Sequence, residues 1–214
     1  LFLIEDCAEA LGSFQNGEHV GSKADICTFS FFGNKTITTG EGGAVTSRHP
    51  ELVAHVCRLK NQGLVQHGAY EHDTIGYNYR MTNIQAAIGV AQFAEIDKIL
   101  DHKCRIAQRY RRELSAFSEF QVSDMQNCSN WINTIKLNSI ERTKEVYKEF
   151  ERNHIEVRPG FSRIDEMPMY KSEALLSKTE ELSGRLLCLP SYPSLTEEQQ
   201  TRVIEVISGQ LISK

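Results

Sequence analysis

Thr28-Phe29-Ser30-Phe31-Phe32-Gly33-Asn34-Lys35-Thr36-Ile37-Thr38-Thr39-Gly40-Glu41-Gly42-Gly43 is the stretch on which the reading of this chain turns. It begins inside an apolar run, Lys23 to Phe32, that reads as a strand, and then breaks into hydroxyls and glycines around a single lysine. Gly33-Asn34-Lys35-Thr36 has a superficial likeness to a phosphate-binding P-loop. That loop needs Gly directly before the Lys and a second Gly further upstream, and Asn34 and Phe29 stand there instead. Two readings of Lys35 stay open: a solvent-facing loop residue, or an amine that forms a Schiff base. The second requires partial desolvation, so that some free amine exists, and anion-binding groups for a phosphorylated cofactor. Ser30 and the glycine-rich turn are of the right type to supply those groups.

Upstream, Leu1-Phe2-Leu3-Ile4 is a continuous apolar run that leads into Glu5-Asp6, the pattern of a strand buried on both faces. Asp6 then stands at the carboxyl end of that strand, where doubly wound sheets place their ligand sites. A cofactor with a pyridine nitrogen needs such a carboxylate to stay protonated. The alternative is that Asp6 caps a helix over Cys7 to Leu11. Downstream, Gly43 to Thr46 reads as a short strand and Pro50 to Leu59 as a helix. Thr82-Asn83-Ile84-Gln85 fits a capping box. The spacing of Ile84, Ile88, Ala91, Ile99 and Leu100 predicts one long helix running past Arg109, a span that carries a chain from one domain to the next.

The second half reads differently. Trp131 to Leu137 alternates as a strand, with Asn133, Ile135 and Leu137 on one face. A helix over Ile140 to Asn153 follows, then short strands at Ile155 to Arg158, before Pro159-Gly160, and at Leu186 to Leu189. A second capping box, Thr196-Glu197-Glu198-Gln199, opens a terminal amphipathic helix. Short strands between helices predict a small α+β domain. The expected division is therefore into residues 1–105 and a small C-terminal domain of 106–214.

Composition bounds the function. The chain has 214 residues, 24 Lys+Arg against 28 Asp+Glu, a net charge of −4, and 40% apolar residues. This is an ordinary globular balance that excludes collagen and extended disorder. No apolar run approaches the roughly 20 residues that span a bilayer, and no basic block offers a nucleic-acid footprint. The six cysteines are scattered with no Cys-x-x-Cys pair, so a structural metal site has no support and reduced thiols in the cytoplasm are expected.

Three segments in order carry a resemblance. Glu5-Asp6-Cys7-Ala8-Glu9-Ala10-Leu11-Gly12, then Phe29 to Gly43, then Gly76-Tyr77-Asn78-Tyr79-Arg80-Met81-Thr82-Asn83-Ile84-Gln85-Ala86-Ala87-Ile88-Gly89 resemble the DegT/StrS-type nucleotide-sugar aminotransferases, the middle segment most of all the perosamine synthases. Trp131-Ile132-Asn133, Val157-Arg158-Pro159 and Leu189-Pro190-Ser191 extend the likeness over nearly the whole chain. The resemblance implies an α/β fold of type I for pyridoxal 5′-phosphate-dependent transferases: residues 1–105 as the C-terminal part of a large cofactor-binding α/β/α domain, plus the small α+β domain. It implies that Lys35 holds pyridoxal 5′-phosphate and shuttles protons, that Asp6 pairs with the pyridinium nitrogen, and that Ser30 binds the phosphate. Asn78 would reach that phosphate from the neighbouring subunit of a homodimer with shared active sites. Glu9 falls where the family usually carries His or Gln against the cofactor ring. The implied reaction moves an amino group, from L-glutamate in most of the family, to a nucleotide-linked 4-keto-6-deoxy sugar. Lys35, in place of the His of dehydratase relatives, favours transamination. His67, Tyr70 and His72 precede the Asn78 segment, and Arg158 the Pro159 turn. Each is read either as a substrate contact or as an ordinary loop or salt-bridge residue.

Members of that family are longer at the amino end, where early strands and a Gly-Ser/Thr phosphate segment lie. A chain starting in mid-element at Leu1 is therefore expected to be a truncated piece of such an enzyme. A catalytically inactive assembly remnant is the competing expectation.

Overall fold

The computed structural model describes residues 1–66, 70–120, 127–172, 174 and 176–209. Among these, two compact units separate, one of 1–101 with 127–131 and the other of 102–120 with 132–209.

In the first unit, β1 (Ile4–Asp6), β4 (Ile26–Ser30) and β5 (Gly43–Thr46) form a sheet in the order β1-β4-β5. β1 runs parallel to β4, pairing Ile4 with Ile26 and Asp6 with Thr28, and β5 runs antiparallel to β4, pairing Ser30 with Gly43. Between β1 and β4, β2 (Phe14–Gln15) and β3 (Glu18–His19) make a hairpin. Its turn places Asn16 and Gly17 at φ of 54° and 80°, a conformation these two residues adopt at least cost. Helices α1 (Pro50–Lys60) and α2 (Asn83–Phe93) and the start of α3 (Ile96–Leu114) complete the unit.

Asp25, just before β4, ties this unit together. Its carboxylate accepts the Leu3 N–H at 2.8 Å and bonds from Arg48 and His49 at 2.8 and 2.9 Å. Those partners, the backbone N–H first, hold its carboxyl well below the usual range.

The second unit is an antiparallel sheet in the order β6-β7-β9-β8, made of β6 (Glu119–Phe120), β7 (Asn133–Lys136), β8 (Arg158–Pro159) and β9 (Leu186–Leu189). Helices α4 (Ile140–Arg152), α5 (Ser177–Leu182) and α6 (Glu197–Ser208) belong to it, with the body of α3. Asn133, Ile135 and Leu137 are buried as the alternation predicts. Tyr110, Leu114, Phe150, Leu187 and Ile207, each at most 1% exposed, sit in one cluster drawn from α3, α4, β9 and α6. Lys103 is buried with them. Its ammonium donates to Ser191 O at 2.7 Å and the Tyr110 hydroxyl to Pro190 O at 2.9 Å, so α3 holds the turn after β9 by two polar contacts. Burial lowers the Lys103 pKa to about 8.

Several expectations need correction. Leu1 to Ile4 is not buried on both faces: β1 starts at Ile4 on the edge of a three-stranded sheet, and Leu1, Phe2, Leu3 and Ile4 are all exposed. No helix follows Asp6, because the Cys7–Gly12 segment folds as successive turns. The long helix is two, α2 and α3, separated by a tight turn in which Glu95 N–H bonds back to Gln92 O. Apolar periodicity continues across that turn and so cannot reveal it. The strand near 155–158 lies later and includes Pro159, which an edge strand tolerates because it donates no ladder bond there. Both capping boxes are formed, at Thr82 and Thr196. All six cysteines are free. Among the described residues no helix is long and apolar enough to cross a membrane.

Candidate active site

Lys35 follows β4 by one turn, and its loop is anchored from beneath by its own residues. Thr36, Ile37 and Thr39 are buried, at 5%, 2% and 4% exposed. Helix α2 fixes the loop from one face: Gln92 accepts the Thr38 N–H at 3.1 Å and donates to Thr38 O at 2.5 Å, while Gln85 donates to Glu41 O at 3.1 Å. Gly89 lies between them, where an added Cβ would come within 2.9 Å of the Thr39 methyl. Residues 85, 89 and 92 share one helical face by their spacing, so the α2 capping box also sets where the lysine loop docks.

The Lys35 side chain is only 13% exposed, and its ammonium lies 3.1 Å from Glu9 Oε1 and 4.1 Å from the centre of the Trp131 ring. Trp131 is held in turn, its indole N–H donating to Asn34 O at 2.7 Å. The segment carrying Trp131 is bound to the 9–14 region by three bonds. Phe14 N–H donates to Asn127 O, Ser129 N–H to Ser13 Oγ, and the Ser129 hydroxyl to Glu9 O, at 2.7, 2.9 and 3.0 Å.

Asp6 ends β1 and Ser30 ends β4, so the parallel pairing brings both to the carboxyl end of one strand pair. Asp6 Oδ1 accepts the Ala8 N–H at 3.0 Å and the Thr28 hydroxyl at 3.4 Å, and Oδ2 has no partner among the described residues. The carboxylate therefore stays in a local turn with one oxygen to spare. Ser30 Oγ accepts the Phe32 N–H at 3.3 Å, which leaves its own proton to donate. Cys7, next to Asp6, has its thiol pushed up to about 12 by burial, with hydrogen bonding and charge from Cys27 adding to the effect, so it is an inert neighbour.

Asn78 is not brought to this group. It is exposed and forms an isolated bridge with Asn61 after α1. His72 bonds Gln62 O through a ring nitrogen at 2.8 Å, and Tyr70 is 97% exposed. His67 lies outside the described residues. Arg158 pairs with Glu156 at 3.4 Å in an exposed salt bridge. Sequence reasoning missed Trp131 as a neighbour of Lys35, Thr28 as a partner of Asp6 and the Gln85–Gln92 clamp. Only Trp131 carried a signal, as the single tryptophan of the chain.

A GDP-perosamine synthase of Vibrio cholerae is 44% identical to this chain, over 98% of it and 59% of that protein. One of Escherichia coli O157:H7 is 42% identical, over 97% of this chain and 58% of that protein. Among solved structures, Helicobacter pylori PseC, an aminotransferase involved in the biosynthesis of pseudoaminic acid, superimposes with a TM-score of 0.88 at 24% identity, over 98% of this chain and 59% of that one. The chain thus spans less than three fifths of the length of the proteins it matches, and its α/β fold is the corresponding part of theirs. Residues 1–208 match the DegT/DnrJ/EryC1/StrS aminotransferase family, and the chain belongs to it.

Proposed function

We propose that this chain is the lysine-bearing part of an aminotransferase that takes an amino group from L-glutamate and delivers it to a nucleotide-linked 4-keto-6-deoxy sugar, with pyridoxal 5′-phosphate as cofactor. The observation that carries this reading is the shielded Lys35 amine, held between a carboxylate and an aromatic ring at the carboxyl end of a parallel strand pair. The residues present fit the cofactor group by group. Lys35 offers an amine for an aldehyde, Asp6 an unpaired carboxylate oxygen for a ring nitrogen, and Ser30 a spare hydroxyl proton for a phosphate.

When bound, the cofactor supplies an electron sink that makes the α-proton of an amino acid removable. Lys35 would hold the cofactor through its amine and would carry a proton at Nζ. Asp6 would pair its spare carboxylate oxygen with the ring nitrogen, and Ser30 would donate to a phosphate oxygen. Glu9 pairs with the Lys35 ammonium at 3.1 Å.

The names of the relatives, GDP-perosamine synthases among them, support a nucleotide-linked sugar and a perosamine-type amino sugar; the corresponding proposed setting is polysaccharide or O-antigen biosynthesis. Asn78 is assigned to the phosphate of a second copy in a homodimer. The exposed apolar residues of α2, Ile84, Ile88, Val90 and Phe93, supply a surface that a second copy would cover. Six free cysteines and no membrane-capable helix among the described residues support a cytoplasmic location.

Borohydride treatment of the protein loaded with pyridoxal 5′-phosphate, followed by peptide mass spectrometry, tests the reading. A reduced pyridoxyl mass is expected on Lys35 and absent from Lys35→Ala. A labelled lysine elsewhere, or amine transfer surviving in Lys35→Ala, would reject it. A panel of 4-keto sugar nucleotides with L-glutamate then identifies the acceptor.

A further inference from the structure

We infer that Trp131 is a positioning residue for Lys35, a role that rests on the reading of Lys35 given above. Lysine carries its charge on a flexible four-carbon stem, and ordering such a side chain costs entropy. Here two contacts limit it. Glu9 approaches from one direction at 3.1 Å, and the Trp131 ring lies 4.1 Å from the ammonium, within cation–π range.

The ring itself is fixed twice over. Its indole N–H bonds Asn34 O, the carbonyl directly before Lys35, so ring and lysine are registered to the same turn of chain. Residue 129, two before it, donates its hydroxyl to Glu9 O and its N–H to Ser13. One short segment therefore places both neighbours of the amine, the ring directly and Glu9 through its backbone. A glutamate alone would leave the stem free to swing about one ion pair. The ring closes a second side and presents the amine in one orientation.

The inference makes a prediction of opposite signs. Removing the ring should expose Lys35 to a reagent in bulk water, and should at the same time slow its condensation with an aldehyde that must meet it in one place. Two measurements on the full protein separate these. The first is the rate at which trinitrobenzenesulfonate modifies Lys35 in cofactor-free protein, read by peptide mass spectrometry against exposed Lys98 as an internal reference. The second is the rate at which added pyridoxal 5′-phosphate forms its visible absorbance band, as the amine condenses with the aldehyde and water leaves.

In Trp131→Leu, modification of Lys35 should rise and band formation should fall, each by about tenfold, the factor that about 1.4 kcal/mol makes in a rate. Trp131→Phe keeps an aromatic ring while losing the N–H and the second ring of the indole, and should stay within about threefold of the wild type in both. A variant that merely loosens the loop would also accelerate hydrogen exchange at residues 36–40, which Trp131→Leu should leave at the wild-type rate; accelerated exchange there in Trp131→Leu would overturn the inference, as would a failure of Trp131→Phe to rescue it. The inference is overturned if both rates in Trp131→Leu match the wild type, if they move together, or if Trp131→Phe fails as far as Trp131→Leu. Failure of the functional reading looks different. The wild type would then form no band at all, while the protection of Lys35 by Trp131 would still be measured by the first rate.

Discussion

The two units divide the work of the chain unequally. Among the described residues, the second holds fourteen buried apolar residues in one cluster, and its helices α3, α4 and α6 bury a face. The first, among the described residues, has a cluster of Cys7, Ala24 and Cys27, and neither α1 nor α2 buries a residue fully. Yet Lys35, Glu9, Asp6 and Ser30 all lie in the first. Its order comes from polar bonds to backbone: Asp25 at the chain start, Gln85 and Gln92 on the lysine loop, Ser129 on Glu9. Hydrophobic burial is non-directional and tolerates small shifts, whereas such bonds fix atoms to a few tenths of an ångström. Among the described residues, the amine is placed by the second kind of contact, while the larger buried apolar cluster lies in the other unit.

The contrast is broken most directly by a pair of phenylalanines. Phe150 is fully buried in the second unit and Phe93 is 57% exposed on α2. Phe150→Ala should lose about 3 to 5 kcal/mol in urea unfolding, the cost of a large core truncation. Phe93→Ala should stay within about 0.5 kcal/mol in the monomer. Equal losses would mean that the face of α2 is covered in solution and that the first unit has a core its own residues do not reveal.

Next in size is the clamp. Gln92→Leu removes both bonds to the Thr38 backbone and leaves a partly buried N–H and C=O without partners, at about 1 to 3 kcal/mol. Hydrogen exchange should accelerate at residues 36–40 and stay unchanged in β7 and β9. Acceleration throughout the chain would show that the clamp is a general stability element and not a local one.

The same division decides what could be read from the sequence. In the second unit the alternation continuing through Ile132 to Leu137, the helix over Ile140 to Asn153 and the capping box at Thr196 were all legible, because each is a local pattern. In the first unit the apolar run at Leu1 to Ile4 reads as a central strand, and among the described residues it lies at the edge of a three-stranded sheet; strand order is a long-range property that a local run does not carry. The break at Ala94–Glu95 was hidden for a related reason, since neither Pro nor Gly marks it. At the site, Lys35, Asp6 and Ser30 stood out by residue type and by their place after strands. Trp131 did not: 96 residues separate it from Lys35, and only the fold brings the 127–131 segment back to Glu9 and Asn34.

The smallest effect concerns a charge buried in the unit otherwise ruled by apolar contacts. Lys103 is 2% exposed, and burial lowers its pKa from 10.5 to about 8. In the unfolded chain it keeps its proton up to about pH 10.4. Between pH 8 and 10 Lys103 therefore holds its proton more often in the unfolded state than in the folded one, and its contribution to stability rises with pH across that window. Below pH 8 both states are protonated and the slope from this residue vanishes. Tyr110 works in the other direction: burial raises its pKa, so it favours the folded state below pH 10 and weakens it above as the unfolded phenol ionises. Measurements should stop at pH 9.5 for that reason. Cys7, whose thiol is pushed up to about 12 by burial, works against this over the same range as the unfolded thiol ionises, so Lys103 is read by difference. From pH 7.5 to 9.5 the wild type should gain roughly 1 to 2 kcal/mol in urea unfolding relative to Lys103→Met, which keeps an apolar stem of similar length. A difference that is flat or falls over this range would mean that the Ser191 carbonyl offsets the cost of burying the charge. The second unit would then share the polar logic of the first.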